Sequence, residues 1–154
     1  MTELDPEVVL GIAARAPDGL VIVDREGLIR YWNRGAERIF GYSAAEVDGR
    51  SLDLIIPEKH RKRHGDGFVT AMAQGASRYG EADLLAVPAV GADGRRLAIE
   101  FSVVLLTGPD GAATHCGAVI RDVTARRARE KARMRRDAAG ETAGDEASGG
   151  SPPA

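Results

Sequence analysis

The sequence contains only one cysteine, Cys116, and only 5% aromatic residues among 154. A single thiol excludes a disulfide framework and a multi-thiolate metal site. The chain has three histidines, His60, His64 and His115, and any imidazole ligand must be one of them. No run approaches the roughly 18 to 20 consecutive apolar residues that span a membrane. The first ten residues are acidic where a secretory signal requires positive charge, so we expect a cytoplasmic protein without a membrane partner.

An excess of charge of one sign is also missing. The chain has 21 Lys+Arg against 23 Asp+Glu, and a net charge of -2 argues against a globally basic nucleic-acid-binding protein. A hydrophobic content of 44% supports one domain with a core, and the length excludes two large domains. No arrangement of nucleophile, base and orienting residue is recognisable, and no phosphate-binding Gly-Lys-Ser/Thr loop occurs. We therefore expect neither enzymatic activity nor a nucleic-acid partner.

Capped helices and one hairpin account for the first half of the chain. Asp5 is a good N-cap and Pro6 suits the first helical position, which predicts a helix that ends near Pro17. Two runs rich in β-branched and aromatic residues, 20–23 and 28–32, flank an Asp-Arg-Glu-Gly turn and predict a β-hairpin. Three further helices are predicted: 35–40 between Asn33 and Gly41, a short one opened by the capping box Ser43 to Glu46, and 58–74 between Pro57 and Gly75.

From residue 82 onwards the hydrophobic pattern becomes typical of strands. Residues 83–90, 95–106 and 114–123 are separated by two glycine-containing turns and predict three consecutive antiparallel strands. Pro88 lacks an amide donor, which predicts that the first of these strands lies at an edge or contains a bulge. The order of elements predicts an α+β domain with one five-stranded antiparallel sheet and helices packed on one face.

The two C-terminal segments have opposite charge. Residues 121–136 contain seven Arg and one Lys against Asp122 and Glu130, a local charge of +6, and Thr124 can cap a basic helix over residues 125–136. Residues 137–154 carry four acids and no base and are rich in Gly, Ser, Pro and Ala, which predicts a disordered acidic tail. The basic helix is either solvated or contacts an acidic partner, a phosphate backbone or the chain's own acidic tail.

A series of spaced motifs resembles the PAS sensory domains of bacterial signalling proteins. The matching residues are the segment 31–42 (YWNRGAERIFGY), Glu46, Gly49, the connector 55–58 (IIPE), the hairpin Asp93-Gly94 and the terminal Asp122-Val123-Thr124. The resemblance implies a PAS fold over residues 16–124, after an N-terminal helix within residues 1–15. It also implies that Asp122 and Thr124 lie where a signal leaves the sheet and enters the following helix.

Within this family the long helix resembles that of haem-binding oxygen-sensor PAS domains of the FixL and Dos types. Residues 57–64 read PEKHRKRH, and the resemblance assigns the axial ligand of haem b to His64. Helical spacing agrees with an inward His64, because Phe68, Ala71 and Met72 follow it on the same face.

The same resemblance defines the opposite side of the cavity. The position of the arginine that stabilises oxygen in those sensors is occupied here by Leu85. The distal wall would then consist of apolar residues: Leu85, Val87, Ile99 and Phe101. We therefore expect carbon monoxide, nitric oxide or redox state, rather than oxygen, to be the input of a haem form.

Several alternatives stay open beside the haem interpretation. An inward histidine is often a hydrogen-bonded core residue, and PAS domains also occur without a cofactor. Gly65 and Gly67 each cost about 1 kcal/mol in a helix, so they either admit a flat ligand or helix movement, or place His64 on a loop before the helix. No flavin-binding motif surrounds Cys116, which we expect to pack as a small apolar residue. His60 and His64 lack a third ligand for zinc.

These observations predict a stand-alone PAS module that senses a small ligand or redox state, with haem b held by His64. We expect it to form a homodimer near residues 6–13 and to signal in trans to a kinase or regulator. The alternative is a cofactor-free PAS module for protein–protein interaction or dimerisation.

Overall fold

The computed structural model describes the backbone of residues 2–147 and the side chains of residues 2–141. It divides into two compact units, Met1–Asp122 and Val123–Ala154. The first unit contains α1 (Pro6–Arg15), β1 (Gly19–Asp24), β2 (Ile29–Trp32), α2 (Arg34–Phe40), α3 (Ala44–Val47), a 3₁₀ helix (Leu52–Ile55), α4 (Glu58–Gln74), β3 (Leu85–Val90), β4 (Arg96–Thr107) and β5 (Ala113–Asp122). The second unit contains α5 (Thr124–Ala147).

The five strands form one antiparallel sheet in the order β2-β1-β5-β4-β3. This architecture confirms the predicted α+β fold. The strand with Pro88 lies at an edge of the sheet, where Pro88 stands opposite Ala98 of β4. An edge position tolerates a residue that cannot donate to a ladder, so the prediction for this strand is confirmed.

Successive side chains of a strand point to opposite faces of the sheet, and the buried ones lie on the same face, which is the core side. Val21 and Val23 of β1, Leu97 and Ile99 of β4 and Ile120 of β5 are all buried. The helical segments contribute further buried residues to the same cluster: Ala36, Phe40, Val47 and Ile55. Full burial of a Val, Leu, Ile or Phe side chain stabilises the fold by roughly 1.5–3 kcal/mol.

The side-chain amide of Asn33, only 3% exposed, joins three elements. Its Oδ1 accepts hydrogen bonds from the amides of Leu20 (2.8 Å) and Ala36 (2.9 Å), the latter as the N-cap of α2. Its Nδ2 donates to the carbonyl oxygens of Ala13 (2.8 Å) and Asp18 (3.0 Å). Asn33 therefore ties α1, β1 and α2 together at one point. Its orientation is fixed, because its neighbours supply amides on one side and carbonyls on the other.

The predicted helix boundaries are mostly confirmed. Gly41 ends α2 in the left-handed conformation, and Ser43 and Glu46 form the expected capping box of α3. The long helix α4 spans 58–74 and ends at Gly75, which is also left-handed. Because Gly65 and Gly67 lie inside α4, the alternative of a loop at His64 was wrong.

The C-terminal helix is longer than predicted. It continues to Ala147, so the expectation of disorder was wrong for residues 137–147, and residues 148–154 lie outside the described residues. The physical reason is propagation: a helix already nucleated over 124–136 extends at little cost through alanine, the best helix former. Gly140, which costs about 1 kcal/mol, does not interrupt it.

Among the helices of the described residues, none combines the length and the apolar character needed to cross a membrane.

We predict that Asn33→Asp lowers the free energy of unfolding by about 3 kcal/mol, because it keeps the cap acceptor but sets a carboxylate against buried carbonyl oxygens. Ser43→Ala, which removes an exposed cap, is the control and should cost about 1 kcal/mol. Urea denaturation followed by circular dichroism measures both. Equal losses in the two variants would contradict the role assigned to the Asn33 amide.

Candidate functional site

Helix α4 arranges the predicted ligand-side residues along one face. His64, Phe68 and Met72 are spaced by four residues. The rings of His64 and Phe68 stack with centroids 6.3 Å apart and planes 17° from parallel. Phe68 in turn reaches the β1–β2 turn, where its ring would lie 3.5 Å from a Cβ built on Gly27. The imidazole is therefore held beside the sheet by an aromatic neighbour one helical turn away.

The environment of His64 favours its neutral form. The residue remains exposed on one side, but the packed protein atoms remove part of its water and lower its pKa below the usual value. The carboxylate of Asp53 in the 3₁₀ helix opposes this shift, because a negative charge favours the imidazolium. A neutral imidazole is the form that ligates a metal.

The cations that precede His64 point to solvent. Lys59, Arg61, Lys62 and Arg63 are all exposed. Lys62 pairs with Asp66 at 3.0 Å, and Arg61 donates to the carbonyl of Ile56 at 3.0 Å. The basic stretch thus forms a solvent-facing surface of α4, and His64 at its end is exposed as well, so the predicted inward position of His64 is not confirmed.

The four predicted wall residues lie on the inner face of β3 and β4. Leu85 stands opposite Phe101, and Val87 stands opposite Ile99. Ile99 is buried, whereas Val87 at the sheet edge is 41% exposed. This edge of the inner face is therefore an apolar surface that the protein covers only partly.

The structure brings some of the predicted residues together and not others. Phe68 and Phe101 both pack against the core cluster that contains Ile99. Met72 is buried but lies outside that cluster.

An open depression of about 500 Å³ at the start of α4 is lined by Pro57, Glu58, Lys59 and Arg96, none of which was predicted to contact a cofactor.

Asp53 is the residue that sequence reasoning missed. It lies eleven positions before His64, in a short 3₁₀ helix whose N-cap is Ser51. The Ser51 cap was a local signal for the turn, but no sequence pattern indicates that the negative charge of its acidic residue acts on the histidine. That effect depends on where the tertiary structure places the two residues.

Cys116 lies on the inner face of β5, between Val23 and Leu105 on the neighbouring strands. It packs against the core cluster, as predicted for a small apolar residue. Burial raises the pKa of its thiol to about 11, so the thiol is neutral at physiological pH.

The predicted signalling residues follow one another at the end of the sheet. Asp122 is the last residue of β5, and Thr124 is the first residue of α5 rather than the residue before it. The neighbouring Arg121 binds the carboxylate of Asp18 through two hydrogen bonds, of 2.9 and 3.1 Å. Because the carbonyl of Asp18 accepts from Asn33, the end of β5 is linked to the junction of α1 and β1.

Within the described residues, no group of three or more His, Cys, Asp or Glu side chains is placed to hold a bare metal ion. The donor chemistry does fit a haem iron, which needs a single axial imidazole and apolar surroundings. His64 can supply the imidazole, and its ring stacks on the apolar Phe68.

A five-stranded antiparallel sheet with helices on its inner face defines an α+β class of domain. The family described as PAS fold matches residues 14–128, and the chain belongs to that family.

Individual relatives are similar over shorter stretches. Sensor protein FixL of Bradyrhizobium diazoefficiens is 35% identical over 54 residues, 35% of this chain and 10% of the relative. Sensory histidine kinase/phosphatase NtrB of Azospirillum brasilense is 41% identical over 54 residues, 35% of this chain and 13% of the relative. The chain therefore spans about an eighth or less of these proteins.

A solved PAS domain from Colwellia psychrerythraea shares the fold. The TM-score is 0.67 at 19% identity, with 77% of this chain and 97% of that domain covered.

We predict that the imidazole of His64 titrates below the ordinary histidine value of about 6.5, and that Asp53→Asn moves its pKa further down because the opposing carboxylate is lost. The neutral form therefore stabilises the fold above about pH 6.5, and this contribution is lost as the pH falls towards the folded pKa. Histidine NMR signals, assigned with His64→Gln, measure the titration. An upward shift in Asp53→Asn would show that the two groups do not interact as described.

Proposed function

We propose that this PAS domain is a sensor whose small-ligand site lies between α4 and the inner face of β3 and β4, and that His64 is the axial ligand of haem b. The observation that carries the proposal is the position of His64 on α4. Its surroundings favour the neutral imidazole, and its ring stacks on Phe68, which packs against the apolar core. The resemblance of residues 57–64 to haem-binding oxygen-sensor PAS domains supports the same assignment. So does the similarity to FixL, a sensor by name.

Each residue of the proposed site has a separate role. His64 would hold the iron through one ring nitrogen, and Phe68 would orient the imidazole by stacking. Met72 would lie on the same helix face, while the apolar wall consists of Leu85, Val87, Ile99 and Phe101. Haem, when bound, supplies an iron that binds diatomic gases and changes oxidation state.

The response to the ligand would be a shift between two populations of the domain. A change at α4 would alter the packing of the inner face, and β5 would transmit it to Asp122 and Thr124. The Arg121–Asp18 ion pair makes the junction of α1 and β1 part of the same route. A kinase or regulator is the partner that we propose for this output, in keeping with the sensor kinase NtrB among the relatives.

We expect protein produced with a haem precursor to show a Soret band, and His64→Ala prepared in the same way to lack it. His60→Ala is the matched control, because it removes a histidine from the same helix one turn earlier and should keep the band. Absorption spectra and haem titration measure both. A colourless wild-type protein after titration, or an unchanged band in His64→Ala, would refute haem ligation by His64.

A second candidate function is a cofactor-free dimerisation module, and exposed apolar residues favour it. On α1 the residues Val8, Val9, Leu10 and Ile12 are all exposed, Ile12 by 68%. On the outer face of the sheet, Val119 and Leu106 are exposed as well. Clusters of this kind mark protein–protein contact sites more often than chance.

We predict that Ile12→Glu shifts a homodimer towards monomer by about tenfold or more in dissociation constant, because a charge would be buried in the contact. Val69→Glu is the control, since Val69 on α4 is equally exposed at 68% but lies outside this surface. Sedimentation at several concentrations measures the equilibrium. Equal effects of the two substitutions, or a wild-type monomer, would exclude α1 as a dimer contact.

A further inference from the structure

The charges of helix α5 are divided along its length. Residues 124–136 carry six Arg and one Lys against Glu130, a net charge of +6, and residues 137–147 carry four acids and no base. Every residue from 125 to 141 is exposed. The net charge of -2 of the whole chain argued against a nucleic-acid partner, but it hides one strongly basic helical segment of about 20 Å.

The acidic half of α5 does not cover the basic segment of the same chain. Both lie on one helix of 24 residues, about 36 Å long, so residues 137–147 cannot fold back onto residues 124–136. Side chains on a helix contact those three or four residues away, so the acidic half reaches only the last turn of the basic segment. The expectation that the acidic segment shields the basic one is therefore wrong for residues 137–147. Anions that cover the whole basic segment must come from another molecule.

Six cations of the basic segment form two rows along the helix. Arg126 is set apart from them here, because it pairs with Glu130 at 3.5 Å. With 3.6 residues per turn, side chains three or four positions apart lie on the same side of a helix. The first row consists of Arg129, Arg133 and Arg136, and the second row consists of Arg127, Lys131 and Arg135. The same geometry places the two rows on nearly opposite sides of α5.

Two different faces of α5 separate these rows. On one side of the helix, between the rows, lies a strip of small side chains, Ala125, Ala128 and Ala132. On the other side lie Glu130 and Met134. We call the alanine strip and the two rows that flank it the basic face. The acid within the segment therefore lies behind the basic face and not on it.

The shape and charge of the basic face fit the major groove of DNA. That groove is about 12 Å wide and admits an α-helix, and a phosphate backbone runs along each of its edges. Alanine side chains let the helix axis approach the floor of the groove, and a row of cations then faces each backbone. Double-stranded RNA fits less well, because its major groove is too deep and narrow for side chains to read. A membrane surface fits less well too, because the alanine strip offers no large apolar side chain to insert.

We infer that the basic face of α5 binds double-stranded DNA, with the alanine strip towards the floor of the major groove and one row of cations on each phosphate backbone. Contacts to phosphate do not read the base sequence, so binding tolerates many sequences and weakens steeply with salt. For six phosphate contacts, the logarithm of the binding constant should fall with the logarithm of the salt concentration with a slope of about -5. The inference is independent of the site around His64.

Binding of the full chain to a short labelled DNA duplex of mixed sequence tests the two rows. Fluorescence anisotropy at several salt concentrations gives the dissociation constant and its salt slope. Removal of either row should weaken binding by about tenfold or more and make the slope less steep by about 3, because three phosphate contacts are lost. The first row is removed by Arg129→Gln, Arg133→Gln and Arg136→Gln together, and the second by Arg127→Gln, Lys131→Gln and Arg135→Gln together.

Helix α4 supplies the matched control for charge. Lys59→Gln, Lys62→Gln and Arg63→Gln together remove the same three charges from another exposed helix of the chain. This variant has the same net charge as either row variant and should keep the salt slope of the unsubstituted chain. The comparison separates contacts made by the basic face from an effect of net charge.

A pair of single substitutions tests which face of α5 meets the DNA. Ala132→Glu and Met134→Glu each add one negative charge at an exposed position two residues apart on the same helix. Ala132→Glu should weaken binding by about tenfold or more, because its carboxylate would enter the groove between the phosphates. Met134→Glu lies behind the basic face and should weaken binding by about twofold, as a distant charge screened by salt. Circular dichroism checks that the two variants have equal helix content.

Four results would overturn the inference. The first is the absence of DNA binding at ~0.05 M salt, where phosphate contacts are strong. The second is an equal change of the salt slope in the α4 control and in the row variants, which would mean that only net charge matters. The third is an equal loss in Ala132→Glu and Met134→Glu. The fourth is binding of polyglutamate or of an RNA duplex as tight as that of the DNA duplex, which would identify an acidic protein or an RNA as the partner.

Discussion

The fold of this domain depends on the amide of one buried asparagine. Asn33 is the only side chain that meets the end of α1, the start of β1 and the start of α2 among the hydrogen bonds of the described residues. Backbone groups buried at that junction have no helix or sheet partner of their own, and leaving one unpaired costs roughly 1–3 kcal/mol. Gly35 completes the junction, because a Cβ there would collide with the carbonyl oxygen of Asp18. From this point β1 runs between β2 and β5 in the sheet.

The candidate site combines two opposing effects on one imidazole. Packing around α4 lowers the pKa of His64, and the carboxylate of Asp53 raises it, with the loss of water the larger effect. A histidine in this balance stays neutral without being sealed from solvent. That state suits a ligand to iron, and it also suits a histidine that packs beside Phe68 without any cofactor.

Local interactions were the predictable part of the structure. Asn33, Ser43 with Glu46, Gly41 and Gly75 satisfy helix ends within a few residues, so their sequence context was sufficient. Pro88 was placed correctly at an edge because a missing amide donor excludes a central ladder. The end of α5 was predicted wrongly, since composition indicated disorder where alanine and an existing helix favour propagation.

By itself the sequence determined the order of elements, the PAS fold, the helix that carries His64 and the two charged segments after residue 121. The elements and the charged segments follow from periodicity, caps and composition, which act over short stretches of chain, and the PAS fold follows from the resemblance of the spaced motifs to that family. Only the tertiary structure decided that the charge of Asp53 acts on the pKa of His64, that Val87 is left partly open while Ile99 is buried, and that Arg121 pairs with Asp18, 103 residues away. Such contacts depend on how strands and helices pack across large sequence separations, and no local pattern encodes them.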